Sequence, residues 1–424
     1  MFETIIEPAL QAIVVAWKPI LAISTYFLVL FATGEILYRL FNVPTEHTRK
    51  LSHLGAGVAI MSFPWFFSHW APVIALSLSF LGILSAAKLL GLLQSIHNVQ
   101  RKSGGAFYYP LAVIAMWLLS KGDAVLFCAP LAIMAVADTG AAVVGRHGEA
   151  KYKVFDGERT FEGSATFFGL AFLIVLVSLA LAQKPGWPEM LLVTLVVAIL
   201  TTAVEAVSVR GSDNVLIPYA AWLVLERTLR IGLVELEVWL IGMIVAAGIV
   251  VATWRAVEMT ASGGLLTFVL GTLSYTLGGP QWLIPLVSLH LLFVLFRRPE
   301  VETDLRAIFP STGGALCLVL LHAHSGASGV YPAFLAILAA NGAIAMGIWG
   351  KGKALPIQFA GIAMGALVVS VTPVFAGAQA PMMLTGGIGL IGFALFEWFD
   401  SAGVSGRRPL ASLIVGLLAW ALLG

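Results

Sequence analysis

Long apolar runs, separated by short polar segments, follow one another along almost the whole chain. A helix needs about 20 mostly apolar residues to cross a bilayer. We identify 16 candidate runs, at residues 19–38, 54–67, 72–90, 107–119, 124–144, 167–182, 190–209, 215–225, 236–253, 264–277, 282–296, 313–321, 330–349, 356–375, 384–399 and 410–423. None alternates with the period of two that marks a barrel strand, so helices are the expected way to satisfy backbone hydrogen bonds in lipid. The pattern predicts an all-α, polytopic integral membrane protein.

The basic residues give an independent test of this topology. Of 24 Lys and Arg residues, 19 lie in or beside the segments that follow odd-numbered runs, and five lie on the other side. Because Lys and Arg collect on the cytoplasmic side of a membrane, both termini are predicted on the outer side. One missed or surplus pair of helices would keep this alternation, so we expect about 14 to 16 transmembrane helices.

Composition excludes several classes of protein. Hydrophobic residues make up 59% of the chain and charged residues 11%, with a mean hydropathy of +0.96, whereas soluble domains carry about 25% charged residues. This excludes a soluble enzyme, a nucleic-acid-binding protein and a disordered chain. Cys128 and Cys317 lie singly in apolar runs, which argues against a disulfide framework or a thiolate zinc site. Glu3 and Glu7 open the chain without a basic residue, unlike a signal peptide, so a bacterial inner membrane is the simplest location.

The chain has one candidate seam, at residues 255–264, where the sequence RAVEMTASGG interrupts the apolar pattern. This seam predicts a first membrane domain at 1–254 and a second at 255–424.

One predicted cytoplasmic loop, residues 137–164, holds an unusual number of charged residues and several glycines. Its polar residues include Asp138, Arg146, Lys151, Lys153, Asp156, Glu158, Arg159, Thr160 and Glu162. Carboxylates can hold Mg²⁺, Arg and Lys can bind phosphate oxygens, and glycines let backbone N–H groups approach them. The segment therefore suits a metal-bound nucleotide, although basic juxtamembrane loops also serve simply as topology determinants that contact anionic lipid.

Three more polar clusters fall on the same predicted face. They are Arg49, Lys50 and His53, then residues 101–105, and then Glu205 with Asp213 and Asn214. Glu205 lies inside an apolar run, where an unpaired carboxylate is costly, so it requires a cation or a structural partner. Four clusters on one face favour chemistry at the membrane surface.

In this order, the four segments resemble motifs of the CTP-dependent polyprenol kinases, the phytol and dolichol kinases. The similar segments are RKLSHLGAG at 49–57, ADTGAAVVGRHGEAKYK at 137–153, ERTFEGS at 158–164 and VEAVSVRGSDNVLIP at 204–218. Arg159 stands where the family usually has Lys, which keeps the positive charge.

The resemblance implies transfer of the γ-phosphate of CTP, with Mg²⁺, to a long isoprenoid alcohol at the cytoplasmic face. The expected catalytic residues are Asp138, Glu162 and His53. The expected metal ligands are Asp138, Glu162, Glu205 and Asp213. The expected nucleotide and phosphate ligands are Arg49, Lys50, Arg146, Lys151, Lys153, Arg159, Thr160 and Asn214. His53 would orient or deprotonate the alcohol, with a purely structural hydrogen bond as the equal alternative. Membrane lipids are the other expected partner.

The second half resembles, more weakly, the membrane family that includes the plant phytyl-phosphate kinases, in residues 263–286 and 335–353. That family carries Asn-Ala-Asp near the end of the second segment, where this chain has Asn341 followed by Gly342. A second phosphorylation by this half and a scaffolding role therefore both stay open.

Two other functions fit a protein with many membrane helices. A CTP-dependent lipid cytidylyltransferase would use the same nucleotide, but its usual sequence signature is missing here. A secondary transporter would place its charged residues at mid-depth, whereas here they gather on one predicted face. Both arguments favour the kinase.

Overall fold

The structure, a computed structural model, describes residues 3–97, 104–154, 157–254, 259–296, 305–327, 330–350, 353–371, 382–401 and 407–423. Each of the 16 predicted runs overlaps a helix in these ranges, which confirms the all-α fold. Seven helices are long and apolar enough to cross a membrane in the described part of the chain. The full number of spans and the side of each terminus stay predictions.

The tertiary contacts divide the chain into two compact units, Met1–Glu237 and Val238–Gly424. The predicted domain boundary lies a little further along the chain, at Arg255, which is outside the described residues. That boundary stays a prediction.

The first unit contains helices of very different length. They are α1 (Glu3–Val15), α2 (Trp17–Leu40), α3 (Thr45–Met61), α4 (Phe63–Phe66), α5 (Trp70–Leu89), α6 (Gln94–His97), α7 (Gly105–Ser120), α8 (Ala124–Ala132), α9 (Asp138–Gly145), α10 (Phe161–Ala182), α11 (Trp187–Val207) and α12 (Asp213–Thr228). Helix α13 (Leu233–Trp254) crosses from the first unit into the second. Helix α1 precedes the first predicted span and was not expected from the hydropathy pattern.

Helices α8 and α9 form one continuous helical segment, joined by a π-helical turn at Ile133–Ala137. Asp123 caps its start, because its carboxylate accepts hydrogen bonds from the backbone N–H groups of Val125 and Leu126 at 2.8 and 3.1 Å. A side-chain cap of this kind satisfies donors that have no partner within the helix. The π turn lies immediately before Asp138.

The predicted loop 137–164 contains a small antiparallel hairpin. Strands β1 (Lys151–Val154) and β2 (Gly157–Thr160) pair with Tyr152 opposite Arg159. Residues 155 and 156, including the candidate Asp156, lie outside the described residues. Strands of four residues give too short a hydrophobic alternation to be recognised in the sequence, which explains why a loop was predicted here.

The second unit is built around one buried helix. Its helices are α14 (Ala261–Gly278), α15 (Pro280–Leu295), α16 (Leu305–Ser325), α17 (Val330–Gly350), α18 (Leu355–Val371), α19 (Met382–Ser401) and α20 (Arg407–Leu423). Helix α17 is buried along most of its length. It packs closely on α18, since a Cβ added to Gly342 would lie 2.4 Å from the carbonyl oxygen of Gly365. A glycine at this position permits the close approach of the two backbones.

Candidate functional site

Asp138 begins the helix that follows the π turn, and only 8% of the residue is exposed. A π turn shifts the backbone hydrogen-bond pattern by one residue and is often found at functional sites. Here it lies within a buried part of the span, where Ala135 and Ala137 are fully covered. A carboxylate at such a position requires a positively charged partner.

Helix α3 supplies that partner. Lys50 Nζ forms an ion pair with Asp138 Oδ2 and also donates to the Asp138 backbone carbonyl at 3.3 Å. One turn further along α3, His53 Nε2 lies 3.9 Å from Asp138 Oδ2 and 3.0 Å from the carbonyl oxygen of Met134 in the π turn. A carbonyl accepts hydrogen bonds and does not donate them, so Nε2 of His53 carries the proton. His53 therefore makes a structural hydrogen bond, which was the alternative to a role with the alcohol. Its Nε2 is not available as a base in this arrangement.

A second buried ion pair joins the hairpin to helix α11. Arg159 Nη1 lies 2.8 Å from Glu205 Oε1, and the Glu205 side chain is 4% exposed. Strand β2 carries Arg159 beside Tyr152, whose hydroxyl hydrogen-bonds Ser164 at 2.7 Å. The hairpin thus brings a cation to the acid that the sequence analysis expected to need one.

Asp213 completes a group that we call the charged cluster: Lys50, Asp138, Arg159, Glu205 and Asp213. Arg159 interacts electrostatically with all three carboxylates. Burial would lower the pKa of the Arg159 guanidinium, but these carboxylates raise it. Within the described residues Asp213 has no cation at ion-pair distance. Burial and the charge of Asp138 raise the pKa of Asp213, against the opposing effect of Lys50 and Arg159.

With every member ionised, the charged cluster contains three carboxylates and two cations. It therefore has an excess negative charge as well as two groups that bind phosphate oxygens. No three His, Cys, Asp or Glu side chains in the described ranges are placed to hold a metal ion by themselves. Mg²⁺ commonly takes one or two carboxylates together with substrate phosphates and water, and Asp213 suits that limited role.

Glu162 occupies a separate position at the start of α10. Its Oε1 accepts hydrogen bonds from the backbone N–H groups of Glu149 and Ala150 at 3.0 and 3.2 Å. Its Oε2 is covered and has no partner among the described residues, and a Cβ added to Gly148 would lie 2.6 Å from it. Glu162 thus braces the turn between α9 and β1, and no contact joins it to the charged cluster in the described structure.

The other predicted phosphate ligands are dispersed. Arg146 contacts His47 at 2.7 Å, and Lys151 pairs with Glu158 across the hairpin at 3.5 Å. Lys153 is exposed on β1. Thr160 caps α10, since its hydroxyl accepts from the Gly163 N–H at 3.2 Å.

Two predicted ligands lie at a cavity instead. Arg49 pairs with Glu46 at 2.9 Å, and Asn214 donates from Nδ2 to the Gly105 carbonyl at 3.0 Å. Both line a cavity of about 130 Å³ in the first unit. The roles of all these residues stay predictions, as does the contribution of residues 101–103, which lie outside the described residues.

The cavity adjoins the charged cluster through His53, which lines the cavity and also contacts Asp138. Its apolar wall includes Phe27, Phe31 and Phe80, none of which the sequence analysis selected. In the sequence these residues look like ordinary membrane-helix residues, so no local pattern could separate them from residues that face lipid.

Curated phytol kinases are similar to this chain. A phytol kinase from Synechocystis sp. is 31% identical over 214 residues, which cover 49% of this chain and 90% of that protein. The probable phytol kinase 2, chloroplastic, of Glycine max is 28% identical over 241 residues, which cover 51% of this chain and 80% of that protein. No family model matches the chain, and no solved structure matches it.

Proposed function

Because this chain belongs to the phytol kinase family, we propose that it transfers the γ-phosphate of CTP to the hydroxyl of a long isoprenoid alcohol at the cytoplasmic face of a membrane. Membership of this family makes the chain an isoprenoid alcohol kinase, and its apolar helices make it an integral membrane protein. The choice of CTP and of the cytoplasmic face rests on the motif resemblance and on the distribution of basic residues.

One observation supports this function above the others: the charged cluster lies next to a cavity with an apolar wall. An isoprenoid chain dissolves in lipid, whereas a nucleotide is dissolved in water, so the reacting groups meet at a membrane surface. Phosphoryl transfer asks a protein mainly for positioning and for neutralisation of charge. The cluster offers two cations for the second task, and His53 connects the two environments.

In the proposed reaction, the alcohol oxygen forms a bond to the γ-phosphorus while the bond from that phosphorus to the β–γ bridging oxygen breaks. CDP leaves with the bonding electron pair, and the alcohol proton passes to the Asp138 carboxylate. The phosphate oxygens of the donor draw Lys50 away from Asp138, which frees this carboxylate to accept the proton. His53 keeps its proton on Nε2, which donates it in a hydrogen bond to the Met134 carbonyl, and His53 orients the hydroxyl by its position.

Mg²⁺ is the proposed cofactor. Asp213, with a second carboxylate of the cluster, would hold it beside the nucleotide phosphates, where a divalent ion supplies further neutralisation of charge. Arg159 and Lys50 bind the remaining phosphate oxygens. Glu205 holds Arg159 in place through their ion pair.

We confine the proposal to a single phosphorylation in the first unit. In the second unit, Asn341 donates from Nδ2 to the Ile337 carbonyl of its own helix at 2.9 Å, and Gly342 lies against Gly365. Neither residue supplies the carboxylate that a second phosphoryl transfer would need at this position. The product should therefore be a monophosphate.

The experiment uses membranes that contain the full chain, with Mg²⁺, phytol and other prenols, and CTP labelled at either the α or the γ position. We expect γ label in a prenyl monophosphate. Transfer of α label into a CDP-lipid would instead indicate a cytidylyltransferase. No labelled lipid with any acceptor would contradict both activities, and label from ATP or UTP in place of CTP would correct the donor.

A matched pair of variants locates the reaction. Asp138→Asn should abolish transfer when the variant and the wild type are compared at equal amounts in the membrane. Asp123→Asn is the control, because Asn caps a helix about as well as Asp and Asp123 caps the start of α8. Normal turnover in Asp138→Asn would place the active site elsewhere in the chain.

A further inference from the structure

The cavity of the first unit has a distinct aromatic end. The rings of Phe27 and Phe80 have centroids 4.4 Å apart, and Phe31 lies 6.0 and 6.2 Å from these two rings. Leu76 and Leu84 of α5 extend the same wall. Aromatic and aliphatic side chains of this kind accept a branched hydrocarbon without any polar contact.

The residues that line the cavity also include polar side chains with unpaired atoms. Arg49 Nε, Ser52 Oγ and His97 Nε2 are covered and make no hydrogen bond within the described residues. Ser52 is 6% exposed and lies beside His53 on α3. Buried polar groups are nearly always hydrogen-bonded in folded proteins, so three such atoms in residues that line the cavity favour a ligand with a polar end.

We propose that this cavity binds the isoprene unit that carries the hydroxyl of the acceptor, and that it selects acceptors by this unit and not by the length of the chain. The inference rests on the proposed function, since it assigns the acceptor site of that same reaction. Phe27, Phe31 and Phe80 surround the branched carbon chain. Ser52 and His97 hydrogen-bond the hydroxyl, next to His53 and Asp138.

The size of the cavity carries this argument. Its volume is about 130 Å³, and an apolar cavity of roughly 150 Å³ holds one benzene molecule. An isoprene unit has one carbon fewer than benzene, so the cavity accommodates about one such unit. A complete phytyl chain has four of these units and does not fit inside.

The rest of the acceptor chain would extend out of the cavity. The cavity is partly open, and its walls α2 and α5 expose apolar side chains on their outer faces, at Leu28, Val29 and Leu78. A bilayer covers such faces in a membrane protein. The remaining isoprene units therefore lie in lipid, where each additional unit meets the same surroundings.

The test combines an acceptor with a larger first unit and a variant with a larger cavity. The purified full chain, in detergent micelles, is given phytol or an analogue whose branch methyl on the hydroxyl-bearing unit is replaced by phenyl. We expect the wild type to use the analogue with a kcat/KM lower by about tenfold or more. Phe80→Ala should raise the ratio of kcat/KM for the analogue to kcat/KM for phytol by a similar factor. Phe80→Leu serves if Phe80→Ala does not fold.

Phe334→Ala is the matched control, because Phe334 is also buried, at 0% exposure, and belongs to α17 of the second unit. It should leave the ratio unchanged. In a second series, geraniol, farnesol, geranylgeraniol and phytol at equal mole fraction in micelles should be phosphorylated at similar rates, because they differ only in units outside the cavity. An unchanged ratio in both Phe80 variants, or a steep dependence on chain length, would overturn the inference.

Binding alone separates this inference from the proposed function. A phytol with a diazirine on its hydroxyl-bearing unit should cross-link to α2, α3, α5 or α7, and Phe80→Ala should change the labelled positions. Cross-linking there without phosphorylation would overturn the function and support the site. Phosphorylation with cross-links elsewhere would support the function and overturn the site.

Discussion

At the scale of single residues, the proposed chemistry depends on buried ion pairs. Asp138 and Glu205 are 8% and 3% exposed, and each has one close cation. When one member of such a pair is removed, the other stays buried without a partner, which costs more than the pair itself contributes. The two pairs therefore constrain folding as well as catalysis, and the two effects can be measured separately.

Arg159→Met should lower the free energy of unfolding by about 3 kcal/mol, because Glu205 is left buried and unpaired. The double variant Arg159→Met/Glu205→Gln should regain most of that loss, since no unpaired charge remains. Neither variant should transfer phosphate, because both lack the cation. Denaturation in detergent and the labelling assay measure the two properties. Equal stability of the single and double variants would contradict the role of the Arg159–Glu205 pair.

Gly148→Ala should disturb Glu162. The added Cβ would lie 2.6 Å from Glu162 Oε2 and 2.8 Å from Thr160 Cβ, so the carboxylate and the Thr160 side chain must shift. We expect a loss of activity on the order of tenfold, as positioning is lost. Gly169→Ala, on α10 with open space around it, is the control and should stabilise the helix by about 0.5–1 kcal/mol. Equal activity of both variants would show that Glu162 can move freely.

At the scale of elements, the site depends on how closely α3 approaches the π turn. A Cβ added to Gly57 would lie 2.4 Å from the Cβ of Ala135. This contact sets the distance from Lys50 and His53 to Asp138. Tyr109 of α7 supports it, since its ring lies edge-on to the His53 ring, with centroids 4.9 Å apart.

Gly57→Ala should push α3 away from the π turn and separate Lys50 from Asp138. A displacement of about 1 Å at a reacting group can cost on the order of a hundredfold in rate, and we expect a loss of this size in the labelling assay. Gly82→Ala on α5, with open space around it, should retain full activity. If Gly57→Ala is as active as Gly82→Ala, the approach of α3 does not control the site.

These elements also explain what could be predicted from sequence. Charged residues are rare in this chain, so Lys50, Asp138 and Glu205 could be selected without any knowledge of the fold. Their pairing could not be predicted, because it joins helices that are distant in sequence. The hairpin that delivers Arg159 was predicted as a loop. The phenylalanines of the cavity could not be selected at all, since the sequence around an apolar residue in a membrane helix does not show what that residue contacts.

At the scale of the whole molecule, the residues of the proposed site lie in one unit. All members of the charged cluster and all residues that line the cavity belong to Met1–Glu237. The cyanobacterial relative matches about half of this chain with 90% of its own length. A protein about half as long as this chain therefore belongs to the same family.

A fragment of residues 1–254, which keeps α13 complete, should therefore phosphorylate phytol in membranes. A fragment of residues 255–424 should not, whether it is given the alcohol or its monophosphate. Labelled product from separately expressed fragments, compared at equal membrane abundance, checks this expectation. Diphosphate formed by the second fragment would show the second phosphorylation that the proposal leaves out.

The order of the charged residues along the chain bears on biosynthesis. Lys50 precedes Asp138, and Arg159 precedes Glu205. Since a chain is made from its N-terminus, the ribosome produces each cation before the acid that it will neutralise. Neither buried carboxylate needs to enter the bilayer ahead of its counter-ion. Each of these two acids is thus made when the cation that will neutralise it is already part of the chain.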